Sequence, residues 1–230
     1  MSMNEPYTGH VAKLSSPWEG LVRLSLFLLL LPFLLFSCSE NIKEDTEYSN
    51  WQKRNNTFFD SLEDSLAANP GTWAKFKSYM KDQSLATGKN TDCIYVKKMT
   101  PRTDIVSGDL TTSPASTDSV LVTYIGRLIP SASYPEGYVF DTRAYRRDDP
   151  ATNATERFPA SSPLVEGFCT ALYHMHRGDH WRVYIPYALG YGSTKYNSIP
   201  AYSTLIFDLT LLDFSPVGES LPVWRAPRKR

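Results

Sequence analysis

Few side chains in this chain combine the type and the spacing that chemistry needs. His174, His176 and His180 lie close together, and three imidazoles can hold zinc. His174 and His176 stand two apart at an expected helix end, so their rings diverge. No metal and no cofactor is therefore expected. No phosphate-binding glycine loop and no Ser-His-Asp arrangement of suitable spacing occurs. Asn153-Ala154-Thr155 fits the glycosylation sequon. What remains is a set of aromatic residues, Tyr124, Phe140, Phe158, Phe168, Tyr191 and Phe207, with one acid, Asp141, beside Phe140. Taken singly, each ring reads as core and Asp141 as a turn residue or helix cap. Only their order and setting give the set a meaning.

The elements that must position these residues follow from periodicity. Val120, Val122 and Tyr124 alternate with Leu121, Thr123 and Ile125, which suits a strand with apolar residues on both faces. Residues 127–157 hold three prolines, one glycine and several charges, and read as a long loop region around Phe140-Asp141. Val165 to Met175 reads as a short helix with Phe168, Leu172 and Met175 on one face. His180 to Ile185 is a strand that Pro186 ends, and Thr204 to Phe214 is a long strand. Upstream, Cys93 to Met99 looks like a strand, and residues 100–117 are loop. Strands around one helix give an α+β fold, a curved antiparallel β-sheet wrapping one short helix.

Read in sequence, these residues resemble the FKBP family of peptidyl-prolyl cis-trans isomerases. The landmarks are Val122-Thr123-Tyr124-Ile125-Gly126, Phe140-Asp141, Phe158, Leu164-Val165-Glu166-Gly167-Phe168, and Met175 with Gly178-Asp179. They continue with Val183-Tyr184-Ile185-Pro186, Gly190-Tyr191-Gly192, Ile199-Pro200 and Ser203 to Asp208. The resemblance covers residues 118–214, less than half of the chain. It implies a pocket walled by Tyr124, Phe140, Phe158 and Phe207, rimmed by Leu164 and Val165, and floored by Phe168. Tyr191 and Ile199 would sit at its lip and Asp141 would be its polar member. The family usually has Trp at the floor. Phe168 keeps the aromatic face and gives up the indole volume and N–H. The stretch between Tyr124 and Phe140 is also longer here, with Pro130, Pro135 and Gly137 inside it.

The implied activity has a physical basis. An X-Pro peptide bond turns slowly because resonance gives C–N double-bond character. In an apolar aromatic cavity the amide loses the water that favours its charge-separated planar form, and the twisted form suffers less. Among the implied site residues, Asp141, Tyr191, Tyr124 and Phe140 would act on the amide. Tyr191 would hold the carbonyl before the proline, the Ile199 backbone N–H the next one, and Asp141 would orient Tyr124. Phe158, Leu164, Val165, Phe168, Ile199 and Phe207 would hold the substrate. The expected partners are proline-containing polypeptides, and the expected role is folding of exported proteins. A rival reading is a polypeptide-binding or chaperone module with little catalysis.

Residues 1–38 read as a targeting segment. Arg23 precedes a run from Leu24 to Phe36 that is almost all Leu and Phe. That run is too short to span a bilayer, which takes about 20 apolar residues, and suits a signal peptide. It ends in Ser37-Cys38, which resembles the bacterial lipobox, so Cys38 is the expected site of lipidation and the cell envelope, with the outer membrane foremost, the expected location. Export leaves a Cys93–Cys169 bridge allowed, but spacing does not establish one. Residues 39–90 divide into an acidic tether with Glu40, Glu44, Asp45 and Glu47, then helical segments. Trp51, Phe58, Phe59, Leu62 and Leu66 lie on one helical face over residues 48–68, and a second helix is expected to carry Trp73, Phe76, Tyr79 and Met80. This aromatic face over residues 48–82 either packs on the isomerase-like region, residues 91–215, or pairs with a second copy. Residues 216–230 end in a basic tail, Arg225, Arg228, Lys229 and Arg230. Basic and acidic residues balance at 24 each, which excludes a general pull toward nucleic acid. Cys38→Ala is expected to release the protein from membranes and abolish palmitate labelling; an unlabelled wild-type protein would exclude the lipid anchor.

Overall fold

The computed structural model describes residues 46–85, 88–143, 156–160 and 164–221. Cys38, the acidic residues before Thr46, the Asn153 sequon and the basic tail from Arg225 lie outside them. Among the described residues no helix is long and apolar enough to cross a membrane.

The chain order is α1 (Trp51–Asp60), α2 (Leu62–Ala68), β1 (Trp73–Lys77), β2 (Cys93–Lys98), β3 (Ser119–Arg127), β4 (Val139–Arg143), β5 (Glu156–Pro159), α3 (Glu166–Leu172), β6 (His180–Ile185) and β7 (Leu205–Ser215). The strands form one antiparallel sheet in the order β1-β2-β6-β7-β3-β4, with β5 also paired to β3. The fold is thus the expected α+β, with an N-terminal helical segment ahead of the sheet. Pro186 ends β6 as read, and β7 begins within one residue of its expected start.

Helix α3 packs on one face of the sheet, with all residues from Gly167 to Leu172 buried. Gly167 makes this approach feasible. A Cβ there would lie 2.4 Å from Ile185 Cγ2 and 3.1 Å from Ile94 Cγ2, so any side chain would lift the helix off the sheet. The opposite face carries α1 and α2. Phe59 meets Tyr95 edge-on at 5.2 Å and Phe58 lies 6.1 Å from Tyr184. Glu63 accepts the Tyr95 hydroxyl and pairs with Lys75 at 2.9 Å.

Three sequence expectations are corrected. Trp73 and Phe76 lie on a strand, not a second helix. Their three-residue spacing puts them on opposite faces of β1, and each face supplies a ring. Trp73 stacks on Tyr184 at 5.4 Å, while Phe76 stacks on Trp181 at 5.7 Å and on His174 at 4.1 Å. The aromatic face that had two readings is therefore largely spent on the chain's own sheet, with Trp51, Phe59 and Leu62 buried. Second, Glu47, read as part of the acidic tether, lies in ordered structure. Thr46–Tyr48 form a helical turn, and Glu47 accepts the Ser133 N–H at 3.1 Å. Third, the stretch 127–157 is not all loop, because it holds β4 and the start of β5. Cys93 and Cys169 are separate buried thiols, and burial pushes the Cys169 thiol up to about 11.

Burial holds the His180 imidazole on β6 below its ordinary value, against a smaller opposing pull from Asp208. The folded state therefore binds fewer protons there than the unfolded chain. Its contribution to stability is full above the unfolded value of about 6.5 and is lost as pH falls from there through the lowered folded value. The urea midpoint should drop between pH 7 and pH 5, and His180→Gln should flatten that slope.

Candidate functional site

The site is built around Phe207 on β7. Its ring meets Phe168 at 5.0 Å and 84°, Phe140 at 5.5 Å and 88°, and Tyr124 at 5.8 Å and 73°. Tyr124 and Phe168 are themselves 5.6 Å apart, and Phe158 lies 6.2 Å from Phe168 at the margin. All are edge-to-face contacts, the geometry that the ring quadrupole favours. Tyr124, Phe168 and Phe207 are buried, whereas Phe140 and Phe158 are half-buried. The cluster thus has a closed base and an open side. Leu164 and Val165, ahead of α3, are half-buried against the core that contains Tyr124, Phe168 and Phe207.

Local backbone chemistry explains the convergence. Gly126 pairs with Phe207 on one side and with Asp141 on the other. A Cβ at Gly126 would lie 2.7 Å from two Phe140 ring atoms and 2.8 Å from Phe207 Cε1. Both rings occupy the space that the missing side chain leaves. The next β3 residue, Arg127, pairs with Val139, so Phe140 is an extra residue in β4. Such a bulge turns a side chain that would alternate away. Here it lets the adjacent residues Phe140 and Asp141 serve the same cluster.

Asp141 is the charged member. Tyr124 Oη donates to Asp141 Oδ2 at 2.8 Å. The Thr142 N–H donates to Oδ1 at 2.8 Å, and Arg143 stands 3.5 Å from the same oxygen. The carboxylate is held from two sides and stays 44% exposed at the edge of an apolar surface. At the lip, Tyr191 is half-buried and its ring lies flat on Tyr196, 4.2 Å away at 7°. Burial, with smaller effects of Tyr196 and Asp141, pushes the Tyr191 phenol up, so it is a neutral donor at ordinary pH. Among the described residues Tyr191 Oη has no hydrogen-bond partner, which leaves it available to a ligand.

Of the ten residues singled out in the sequence, Tyr124, Phe140, Phe158, Phe168 and Phe207 meet in the ring cluster and Asp141 bonds to Tyr124, while Leu164, Val165, Tyr191 and Ile199 belong to or pack against the same hydrophobic core. One assigned contact is corrected. The Ile199 N–H already donates to the Tyr196 carbonyl at 2.8 Å, closing a small loop, so it is not offered to a substrate. Ile199 contributes its side chain, which is buried. The sequence reading missed Tyr196 altogether. Its one signal was an aromatic residue next to Asn197, which takes a left-handed conformation at φ 50°. The histidines have other occupations. His174 stacks on Phe76, and His176 lies 3.4 Å from Asp179.

The fold and the site together define a class, and comparison with known proteins gives it a name. Residues 111–212 match the model of the FKBP-type peptidyl-prolyl cis-trans isomerases. Over 116 residues the chain is 35% identical to the macrophage infectivity potentiator of Trypanosoma cruzi, covering 50% of this chain and 53% of that protein. Over 101 residues it is 39% identical to the FKBP-type 22 kDa peptidyl-prolyl cis-trans isomerase of Escherichia coli, covering 44% of this chain and 43% of the relative. The chain thus spans about half the length of these curated relatives. A solved peptidyl-prolyl cis-trans isomerase from Pseudomonas syringae aligns at 25% identity with a TM-score of 0.47, over 74% of this chain and 98% of that one. Residues 111–212 thus form a region similar to the FKBP-type peptidyl-prolyl cis-trans isomerases.

Gly126→Ala tests the packing logic. Its methyl group must displace Phe140 or Phe207, and overpacking of this kind costs about 1–3 kcal/mol. Urea denaturation should show that loss, and an unchanged midpoint would mean that the rings yield freely.

Proposed function

We propose that the protein is a peptidyl-prolyl cis-trans isomerase for proline-containing polypeptides, tethered through a lipid on Cys38 to the bacterial cell envelope, where it assists folding of exported proteins. The observation that carries this reading is the half-open aromatic cluster centred on Phe207, with Asp141 hydrogen-bonded to Tyr124 at its edge. Prolyl rings and the amide before them fit such a surface, because both are apolar along their flanks.

The steps follow from the side chains. Phe140, Phe158 and Phe207 exclude water from the bound X-Pro amide. The planar amide carries more charge separation than the twisted one, so loss of water costs the ground state more. Tyr191 donates to the carbonyl before the proline. The Tyr124–Asp141 pair fixes the orientation of the wall. No bond is made or broken, and a thousandfold acceleration requires only about 4 kcal/mol.

One observation favours the second reading, a binding module with little catalysis. Phe168 stands where the family usually has Trp, so the floor presents less surface to the proline ring. A protease-coupled assay on Xaa-Pro peptides separates the two. Asp141→Ala and Tyr191→Phe should each lower turnover without unfolding the domain. A neutral hydrogen bond contributes about 0.5–1.5 kcal/mol, so Tyr191→Phe should cost at most about tenfold. Phe207→Ala should lose activity and stability together, since truncating a core Phe costs about 3–5 kcal/mol. A wild-type protein that binds the peptides without turning them over would give the binding module the better claim.

A further inference from the structure

Helix α1 lies on the face of the sheet opposite α3, yet its polar side chains reach the two chain segments that flank the site. On one side, Trp51 Nε1 donates to Ser203 Oγ at 2.8 Å, and Ser203 Oγ donates to the Pro200 carbonyl at 2.7 Å. Next to them, Asn55 Oδ1 accepts the Thr204 N–H at 2.7 Å while Asn55 Nδ2 donates to the Trp51 carbonyl at 2.8 Å. Asn55 is fully buried, and Trp51 nearly so. Residues 200–204 join Ile199 at the lip to β7, which begins at Leu205 and carries Phe207. On the other side, Arg54 donates to the Pro130 carbonyl at 3.1 Å and to the Glu47 carbonyl at 2.8 Å. Glu47 accepts the Ser133 N–H at 3.1 Å, and the Ser131 and Ser133 hydroxyls hold its carboxylate below the ordinary range. Residues 128–138 are the connection that delivers Phe140 and Asp141.

These contacts are not what a helix merely filling a sheet face would make. Filling requires Phe58, Phe59 and Leu62, and those side chains provide it. The buried Trp51–Ser203 and Asn55–Thr204 bonds instead span 152 and 149 residues of sequence and fix one loop conformation. A buried donor left unpaired costs about 1–3 kcal/mol, so the 200–204 segment has few alternatives while α1 is docked. The Tyr124–Phe140 connection is also longer than the family pattern, and a longer loop orders at a larger entropic cost. Arg54 and Glu47 supply anchors midway along it.

We propose that α1, with the Glu47 turn before it, is a clasp that sets the distance between the two flanks of the pocket and so determines how tightly a substrate is gripped. The clasp acts through the loops, and Trp51, Asn55, Arg54 and Glu47 are positioning residues that touch no substrate. The proposal rests on the isomerase reading for the identity of the site, but its test can be read without turnover. Looser flanks hold the planar and the twisted amide less firmly alike, so the effect belongs in KM or Kd.

The experiment uses the full chain in detergent and a Leu-Pro tetrapeptide anilide, with folding of each variant checked by circular dichroism. Trp51→Phe and Asn55→Ala open the 200–204 side, and the double variant Glu47→Ala/Arg54→Ala opens the 130–133 side. Each should raise KM by about threefold to tenfold with kcat within about twofold, the mark of lost uniform binding. If the wild type proves catalytically silent, the isomerase reading fails alone, and the clasp is judged by the Kd of the same peptide, which should rise by the same factor. A folded variant from either side with unchanged KM or Kd overturns the two-sided clasp. So does a loss confined to kcat. Should Asn55→Ala not fold, Trp51→Phe and the surface double variant still decide the matter.

Discussion

The contact between Phe207 and the three rings around it is the interaction on which the site depends. An apolar pocket in water is under pressure to close, since each exposed ring gains by burial. Edge-to-face packing resists that closure. The positive rim of one ring sits on the negative face of the next, and a sliding motion toward face-to-face contact gives up the favourable term. Phe168 and Tyr124 are locked beneath by burial, so Phe207 cannot sink further. Phe140 then stands at right angles to it with one side open. The absent side chain at Gly126 is the condition for all of this, because the two rings fill its volume.

The polar part of the site follows from the same geometry. A carboxylate beside an aromatic cluster loses hydration, and it must be compensated or neutralised. The bulge in β4 places Asp141 where Tyr124 Oη and the Thr142 N–H both reach it. Tyr124 therefore has two functions that one side chain rarely combines. Its ring packs in the cluster, and its hydroxyl holds the charge at the boundary. Tyr191 differs, since its ring is supported by Tyr196 and its hydroxyl has no partner among the described residues.

How much of this could be read from sequence depends on the range of the interaction. β6, β7 and α3 were legible because local pattern and local punctuation agree in them: Pro186 after β6, Gly167 at the start of α3, and a long apolar run in β7. The gathering of Phe140, Asp141, Phe168 and Phe207 was legible only through family resemblance, because no short-range rule brings Phe140, Phe168 and Phe207, 28 to 67 positions apart, together. β1 was misread for a physical reason. A three-residue spacing of aromatics suits a helix with one apolar face, and suits equally a strand with two covered faces. The bulge at Phe140 was invisible, since register depends on the partner strand and not on the strand itself. The Ile199 N–H was misassigned because a backbone donor has no sequence signature, and whether it is free depends on the turn around it.

The covering of both sheet faces also bears on function. An antiparallel sheet commonly leaves one face to solvent, and a pocket on the other face subtracts from the burial that stabilises it. In this chain the loss is offset on the far side. Helices α1 and α2 pack on Tyr95 and Tyr184, and Leu121, Leu212 and Leu221 form a second small core with Val106 against it. Apolar burial contributes roughly 25 cal/mol per Å², and this layer adds Trp51, Phe59 and Leu62 to the buried core. The strands accordingly carry apolar residues on both faces, which is why β3 does not alternate cleanly. Burial in the layer behind the sheet offsets part of what an open aromatic cluster gives up, so the segment ahead of β1 supports the site from the far side.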